Sequence, residues 1–259
     1  MTHLHLGDHS VRIDQGELVG YAVAGHEFIH QKGSPGWGSS DAEMFPIIGP
    51  VNEADFRVQV PRGGTAIQDQ HGHLRQFAYT SLETSDTEAT FGKKYIAKTP
   101  IKNSKFPEKS SEQWLVWPYS FAFEKRFVLK ENGLEITFHV SGERGMPYML
   151  GYHPAFKLYS ESPVIAIDER EITLEEVMAV GDRAMEIPGC NNITLMDEKQ
   201  ITITTAGFGH FMLWSPVRNM ICIEPITFYP YAVEQKKLYE GFQYLEEMEV
   251  LKVKLLPQV

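Results

Sequence analysis

Residues 121–142 read FAFEKRFVLKENGLEITFHVSG, and this stretch decides the fold class. Phe121, Phe123 and Phe127 alternate with polar neighbours before Asn132-Gly133, and Leu134, Ile136 and Phe138 alternate after it. A period of two places successive side chains on opposite faces, which is the pattern of a half-buried strand and not of a helix. Asn-Gly tolerates positive φ at both positions and matches the twist of the flanking strands. The stretch therefore predicts an antiparallel hairpin turning at Asn132-Gly133.

The same period recurs on both sides. Residues 3–6 and 10–13 flank a turn at Gly7-Asp8, and near the end Leu251, Val253 and Leu255 alternate with Lys252 and Lys254. Between them, VQVP from Val58, FAYTSLE from Phe77, VIAID from Val164, ITITT from Ile201 and MICIE from Met220 are short and β-branched or aromatic. Residues 173–178 and 232–239 suit a turn or two of helix. Residues 93–112 are polar and predict a long exposed loop or a projecting hairpin. The 21 Gly and 15 Pro are dispersed and mark no linker, and no internal repeat argues for a propeller or solenoid. Many short strands with scattered turn residues predict an all-β chain, a large antiparallel sandwich or barrel in one domain over residues 1–259.

Composition narrows the function. The chain has 259 residues, with 24 Lys and Arg against 34 Asp and Glu, so its net charge is −10. A duplex-binding protein needs a basic stripe to displace counterions, so nucleic acid is not an expected partner, nor is an anionic membrane surface. Cys190 and Cys222 are far apart and lack metal-ligand spacing, which favours a reducing compartment. The start MTHLHLGDHS has neither the basic nor the apolar region of a signal peptide. No run of 18 apolar residues spans a membrane. The expectation is a soluble, cytoplasmic protein.

Three stretches carry proton-active groups in unusual settings. Gln70-His71-Gly72-His73-Leu74-Arg75 crowds two imidazoles and a guanidinium around a glycine that lets the backbone approach a ligand. Read blandly, it is a solvated polar loop. Gly151-Tyr152-His153-Pro154-Ala155-Phe156 sets a histidine among aromatic neighbours, with Pro154 biasing His153 towards an extended backbone. The bland alternative is a satisfied core histidine. Met220-Ile221-Cys222-Ile223-Glu224-Pro225 ends an apolar run in a carboxylate, which is costly to bury unless paired or useful. The alternative there is a strand that stops at Pro225 with Glu224 in water.

In this order and company, the stretches resemble the aldose 1-epimerase (galactose mutarotase-like) family, and within it the shorter LacX-like and hexose-6-phosphate epimerase branch. The matching features are Phe45-Pro46-Ile47-Ile48-Gly49, His71-Gly72 with Arg75, the block around His153, and Trp214 followed by Cys222-Ile223-Glu224-Pro225. The His153 and Glu224 blocks are the specific ones. The resemblance implies a single-domain antiparallel β-supersandwich with a sugar cleft on one face. It assigns Glu224 as the base that takes the anomeric hydroxyl proton and His153 as the acid that protonates the ring oxygen. Opening to the aldehyde, rotation about C1–C2 and reclosure then give the other anomer. His71, Gln70 and Trp214 would contact the sugar, and Arg75 would bind a hydroxyl or phosphate. A small aldohexose or its phosphate is the implied partner, the protein being a monomer or homodimer.

The residue types suit that reaction without the family name. One proton must be removed and one donated in the same cleft, so no cofactor and no metal is expected. Each positioned acid or base contributes about 10²–10⁴-fold, or about 5–11 kcal/mol for the two together.

Three departures bear on the substrate. Gly49 is followed by Pro50-Val51-Asn52 where family members carry a sugar-binding Arg, leaving Asn52 as its stand-in. Ile226 to Tyr231 replaces a segment that usually holds Trp and Gly, and His73 takes a commonly aromatic position. If the sugar is phosphorylated, Arg62 and Arg75 are the candidate clamps. The net charge favours a free hexose. Rival readings are a non-catalytic sugar-binding or sensing protein on the same fold, a metal-dependent cupin using His71 and His73, and a glycosidase. The last needs two carboxylates, and the motifs offer one.

Overall fold

In the computed structural model, which describes residues 1–61 and 64–258, the hairpin sits inside the largest sheet. Phe121–Lys130 pairs antiparallel with Gly133–Gly142 along its whole length, from Phe121 opposite Gly142 to Lys130 opposite Gly133. The alternating residues Phe121, Phe123, Phe127, Leu134, Ile136 and Phe138 are all buried. The turn lies one residue earlier than expected. Glu131 and Asn132 form the two-residue loop, and neither has positive φ. Gly133 instead opens the second strand with φ of +152°, where a Cβ would collide with the carbonyl oxygen of Leu255. The glycine answers to the close approach of the next strand and not to the turn.

Among the described residues this sheet has nine strands. In order they are Arg170–Thr173, Val164–Ile167, Asn192–Met196, Gln200–Ala206, Met248–Gln258, Gly133–Gly142, Phe121–Lys130, Glu88–Tyr95 and Thr80–Thr84. Every neighbouring pair is antiparallel. A six-stranded sheet runs Met185–Pro188, His210–Trp214, Met220–Ile226, Gly151–Tyr152 and Glu43–Met44, with Ala155–Lys157 also pairing Met220–Ile226. Aromatic rings fill the space between the two, with Phe138 5.1 Å from Tyr152 and Phe123 5.5 Å from Phe45, centroid to centroid. The first residues form the expected hairpin, Thr2–Leu6 with His9–Asp14, extended by Glu17–Val23 and His26–Glu27 into a four-stranded sheet.

One inward position of the central hairpin is not apolar. Lys125 alternates with Phe123 and Phe127 and is 0% exposed. Its ammonium lies 2.6 Å from Asp41 Oδ2 and 2.7 Å from Glu43 Oε1, and the Tyr152 hydroxyl donates to Asp41 Oδ2 at 2.7 Å. A lysine buried this deeply requires such partners.

Other expectations are corrected in detail. Residues 77–79 stay outside the strand, which runs Thr80–Thr84. Residues 93–112 are largely exposed and close in part as a hairpin, as expected, but they are tied down at several points. Lys93 belongs to the strand Glu88–Tyr95, Ile101–Lys102 pairs with Trp114–Leu115, and Asn103 and Lys105 bind Asp69 at 2.8 and 3.0 Å. The helical stretches form as Leu174–Val180, capped by Thr173 and Glu176, and as a 3₁₀ helix Gln235–Gly241. Among the described residues no helix is long and apolar enough to cross a membrane. Arg62 lies outside the described residues.

Candidate active site

The site is built on one face of the six-stranded sheet. Met220–Ile226 pairs with Ala155–Lys157 so that Cys222 faces Ala155, and with Gly151 so that Ile226 faces it. The same register sets Glu224 opposite His153. Pro154 and Pro225 lack the N–H that a regular ladder would use, yet the strand continues through Pro225 to Ile226. His153 N instead donates to Ala42 O at 2.8 Å, on the side away from Glu224. Glu224 is therefore not at a strand end in water. It is 2% exposed, His153 is 5% exposed, and Nε2 of His153 lies 3.5 Å from Oε1 of Glu224.

Burial decides the charge of this pair. Desolvation holds the Glu224 carboxyl well above the usual carboxylate range. Desolvation, helped by the nearby Arg75 charge, pushes His153 down to about 3. Burial thus favours the protonated carboxyl at Glu224 and the neutral imidazole at His153.

Aromatic walls close around His153. Trp37 stacks on its ring at 4.1 Å and 20°, and Trp214 meets it edge-on at 6.1 Å. Trp37 comes from the loop Gly36-Trp37-Gly38, anchored by Trp37 N to Met220 Sδ at 3.3 Å and by His30 Nε2 to Trp37 O at 3.1 Å. His71 stands at right angles to His153, with centroids 5.5 Å apart. Two motifs that are separate in sequence interlock to hold it. His71 N donates to Ile48 O at 2.8 Å, and Leu74 N donates to Phe45 O at 3.1 Å. Gly72, at φ of +66°, lies against the Phe45 carbonyl where no Cβ fits. Burial, then the charges of His153 and Arg75, lower the His71 pKa well below the ordinary imidazole value.

These residues surround a cleft of 680 Å³, also lined by Gln70, Asn52, Met212, Arg183 and Tyr231. Six expected residues thus meet there: His153, Glu224, His71, Gln70, Asn52 and Trp214. Arg75 does not. It lines a separate cavity of 280 Å³ with Asp41, Glu43, Tyr79 and Lys93, and its charge acts on both His71 and His153. His73 does not join His71 either. It is buried against Tyr95 and Phe121, with Nδ1 2.9 Å from the Gln68 amide, which removes the paired-histidine metal reading. Residues 93–112 do not line the cleft. Trp37, Tyr231 and Arg183 were not anticipated, and Trp37 had a signal: a large aromatic in a Gly-, Ser- and Pro-rich loop.

A family model described as aldose 1-epimerase matches residues 45–215, a span that holds His71 and His153 and stops before Glu224. The plasmid-encoded protein LacX of Lactococcus lactis subsp. lactis is 29% identical over 139 residues, covering 51% of this chain and 41% of LacX. The chain thus spans less than half the length of the curated relatives it matches. A galactose mutarotase-like protein from Lactobacillus casei superposes with a TM-score of 0.78 at 18% identity, covering 100% of both chains. A galactose mutarotase related enzyme from Lactobacillus acidophilus gives 0.75 at 18% identity, covering 99% of this chain and 97% of that one. These structural matches establish a galactose mutarotase-like fold.

Proposed function

Because the chain belongs to the aldose 1-epimerase family, we propose that it interconverts the α and β anomers of an aldohexose by proton transfer at Glu224 and His153. The observation that carries this reading is the 3.5 Å separation of His153 Nε2 and Glu224 Oε1 on an aromatic-walled cleft floor. The two sugar oxygens that exchange protons, O1 and O5, are bonded to the same carbon, so the groups serving them must lie side by side. Glycoside hydrolysis has a different requirement, two carboxylates about 5–9.5 Å apart.

Glu224 acts as base on the O1 hydroxyl. As O1 becomes the aldehyde oxygen the C1–O5 bond breaks, and O5 takes a proton from His153. Rotation about C1–C2 and the reverse proton movements close the ring on the other face. The reaction needs one proton on the pair; burial favours it on the Glu224 carboxyl, and sugar binding has to move it to the imidazole before O5 can be protonated. Trp37 and Trp214 keep water from the floor and offer apolar faces to the ring. His71 and Gln70 are placed to hydrogen-bond the sugar, and Asn52 stands at the cleft wall.

A free hexose is favoured over its phosphate. Arg75 is not among the residues lining the cleft, and Arg183 shares the cleft wall with Asp182 and Glu53. The test is two-dimensional exchange NMR of the anomeric protons of glucose, galactose and glucose 6-phosphate. Enzyme-dependent cross-peaks are expected for a free sugar. Glu224→Gln is expected to lower kcat at least about 100-fold while sugar affinity stays within a few-fold. A Glu224→Gln protein with near-normal kcat takes Glu224 out of the base role. Much faster turnover of glucose 6-phosphate than of glucose reassigns the substrate. No acceleration for any of the three leaves a non-catalytic sugar-binding protein.

A further inference from the structure

We propose that the cleft floor is also a binding site for a zinc-class divalent cation, held by His153, Cys222 and Glu224, and that the ion displaces sugar when it binds. One ligand atom from each residue, imidazole nitrogen, thiol sulfur and carboxylate oxygen, lies within 4.8 Å of the other two, and all three residues are buried. Cys222 and Glu224 are two residues apart on one strand and so share a face. The strand register sets Trp214 opposite Cys222, and the indole packs against the cluster that holds the thiol.

A buried cysteine is ordinarily a small apolar filler. One observation sets this one apart: its sulfur converges with an imidazole nitrogen and a carboxylate oxygen, and all three residues are buried. A tetrahedral zinc site has bonds of about 2.0–2.3 Å, which sets neighbouring ligand atoms about 3.3–3.8 Å apart. The pair already stands at 3.5 Å, and a side-chain adjustment of about 1 Å closes the remainder. Three protein ligands leave a fourth position for water. A thiolate and an imidazole select zinc, cobalt or cadmium over magnesium and calcium. The ion replaces the protons of the thiol and carboxyl groups, which leave to buffer. It occupies the proposed acid and base together, so it acts as an inhibitor and not as a cofactor.

Binding is read without activity by titrating the metal-free protein with Co²⁺. One equivalent is expected to give a thiolate-to-cobalt band in the near ultraviolet and tetrahedral bands in the visible, both removed by Zn²⁺. Cys222→Ser is expected to lose the near-ultraviolet band and weaken Zn²⁺ at least about tenfold, while Cys190→Ser keeps both. Cys222→Ala is the second variant, and circular dichroism shows that each is folded. In chelator, Cys222→Ser is expected to turn over sugar within about twofold of the parent. Added Zn²⁺ is expected to raise the apparent KM of the parent with kcat unchanged, and to do so at least about tenfold less effectively for Cys222→Ser.

Absence of the tetrahedral spectrum, or loss of binding on Cys190→Ser instead of Cys222→Ser, overturns the site. The outcome is separable from the epimerase reading on which the inhibition rests. A cobalt spectrum without mutarotation keeps the site and removes the activity, whereas mutarotation in chelator without a cobalt spectrum does the reverse.

Discussion

Glu224 and His153 are both driven to neutrality by burial, and the two effects oppose each other in pH. In the unfolded chain Glu224 ionises near 4.5 and His153 near 6.5, so between these values the unfolded pair is a carboxylate and an imidazolium. The folded pair is a carboxylic acid and a neutral imidazole. Each state holds one proton, so the intact pair contributes almost no pH slope to stability in that window. Single substitutions separate the two effects. In Glu224→Gln the unfolded state binds one proton more than the folded state, so stability rises with pH. In His153→Asn the folded state binds one more, so stability falls with pH. Each slope is about 1.4 kcal/mol per pH unit, with opposite sign. Denaturant unfolding of the two variants at pH 5 and pH 6 measures the difference, and equal slopes would show that the pair is not held neutral. The sequence exposes both residues, each just before a proline. It does not show that they meet, because their pairing depends on a register between strands far apart in the chain.

At the scale of elements, His71 depends on how the Phe45–Gly49 segment and the turn after Asp69 fit together. Gly72 has the positive φ and close contact to the Phe45 carbonyl that exclude any side chain. Gly72→Ala is expected to destabilise the fold by about 2 kcal/mol or more. It is also expected to raise KM and lower kcat by moving the His71 ring, as read by denaturation and by mutarotation rate. Normal values for both would show that the turn yields freely. Strand identity was largely legible here, since alternation is a local property of Phe121–Lys130, Gln200–Ala206 and Met248–Gln258. Turn placement was less so. Gly133 was read as a hairpin-turn residue, whereas a third strand, distant in sequence, sets its conformation. The position of Arg75 is hard to read for a similar reason: its motif forms the short 3₁₀ turn Leu74–Gln76, and such a turn does not say which of two neighbouring cavities each residue lines. Trp37 was passed over because no pattern of alternation extends into its loop.

Across the whole molecule, the Asp41–Lys125–Glu43 cluster ties the two sheets together beneath the site. Lys125 comes from the large sheet, while Glu43 and Tyr152 belong to the smaller one, where Tyr152 immediately precedes His153. Lys125→Met removes the cation that touches both buried carboxylates and is expected to cost about 3–5 kcal/mol, measured by chemical unfolding. Adding Asp41→Asn and Glu43→Gln is expected to recover part of that loss. Full stability in Lys125→Met alone would mean that the cluster contributes little. The largest sheet has a further consequence for biosynthesis. Met248–Gln258 lies between Gln200–Ala206 and Gly133–Gly142, bonded to both. A chain emerging from the ribosome therefore presents two incomplete half-sheets, each with an open inner edge, until residues 248–258 are released to join them. Those edges are what a chaperone would have to cover, and any premature stop before residue 248 leaves both of them open.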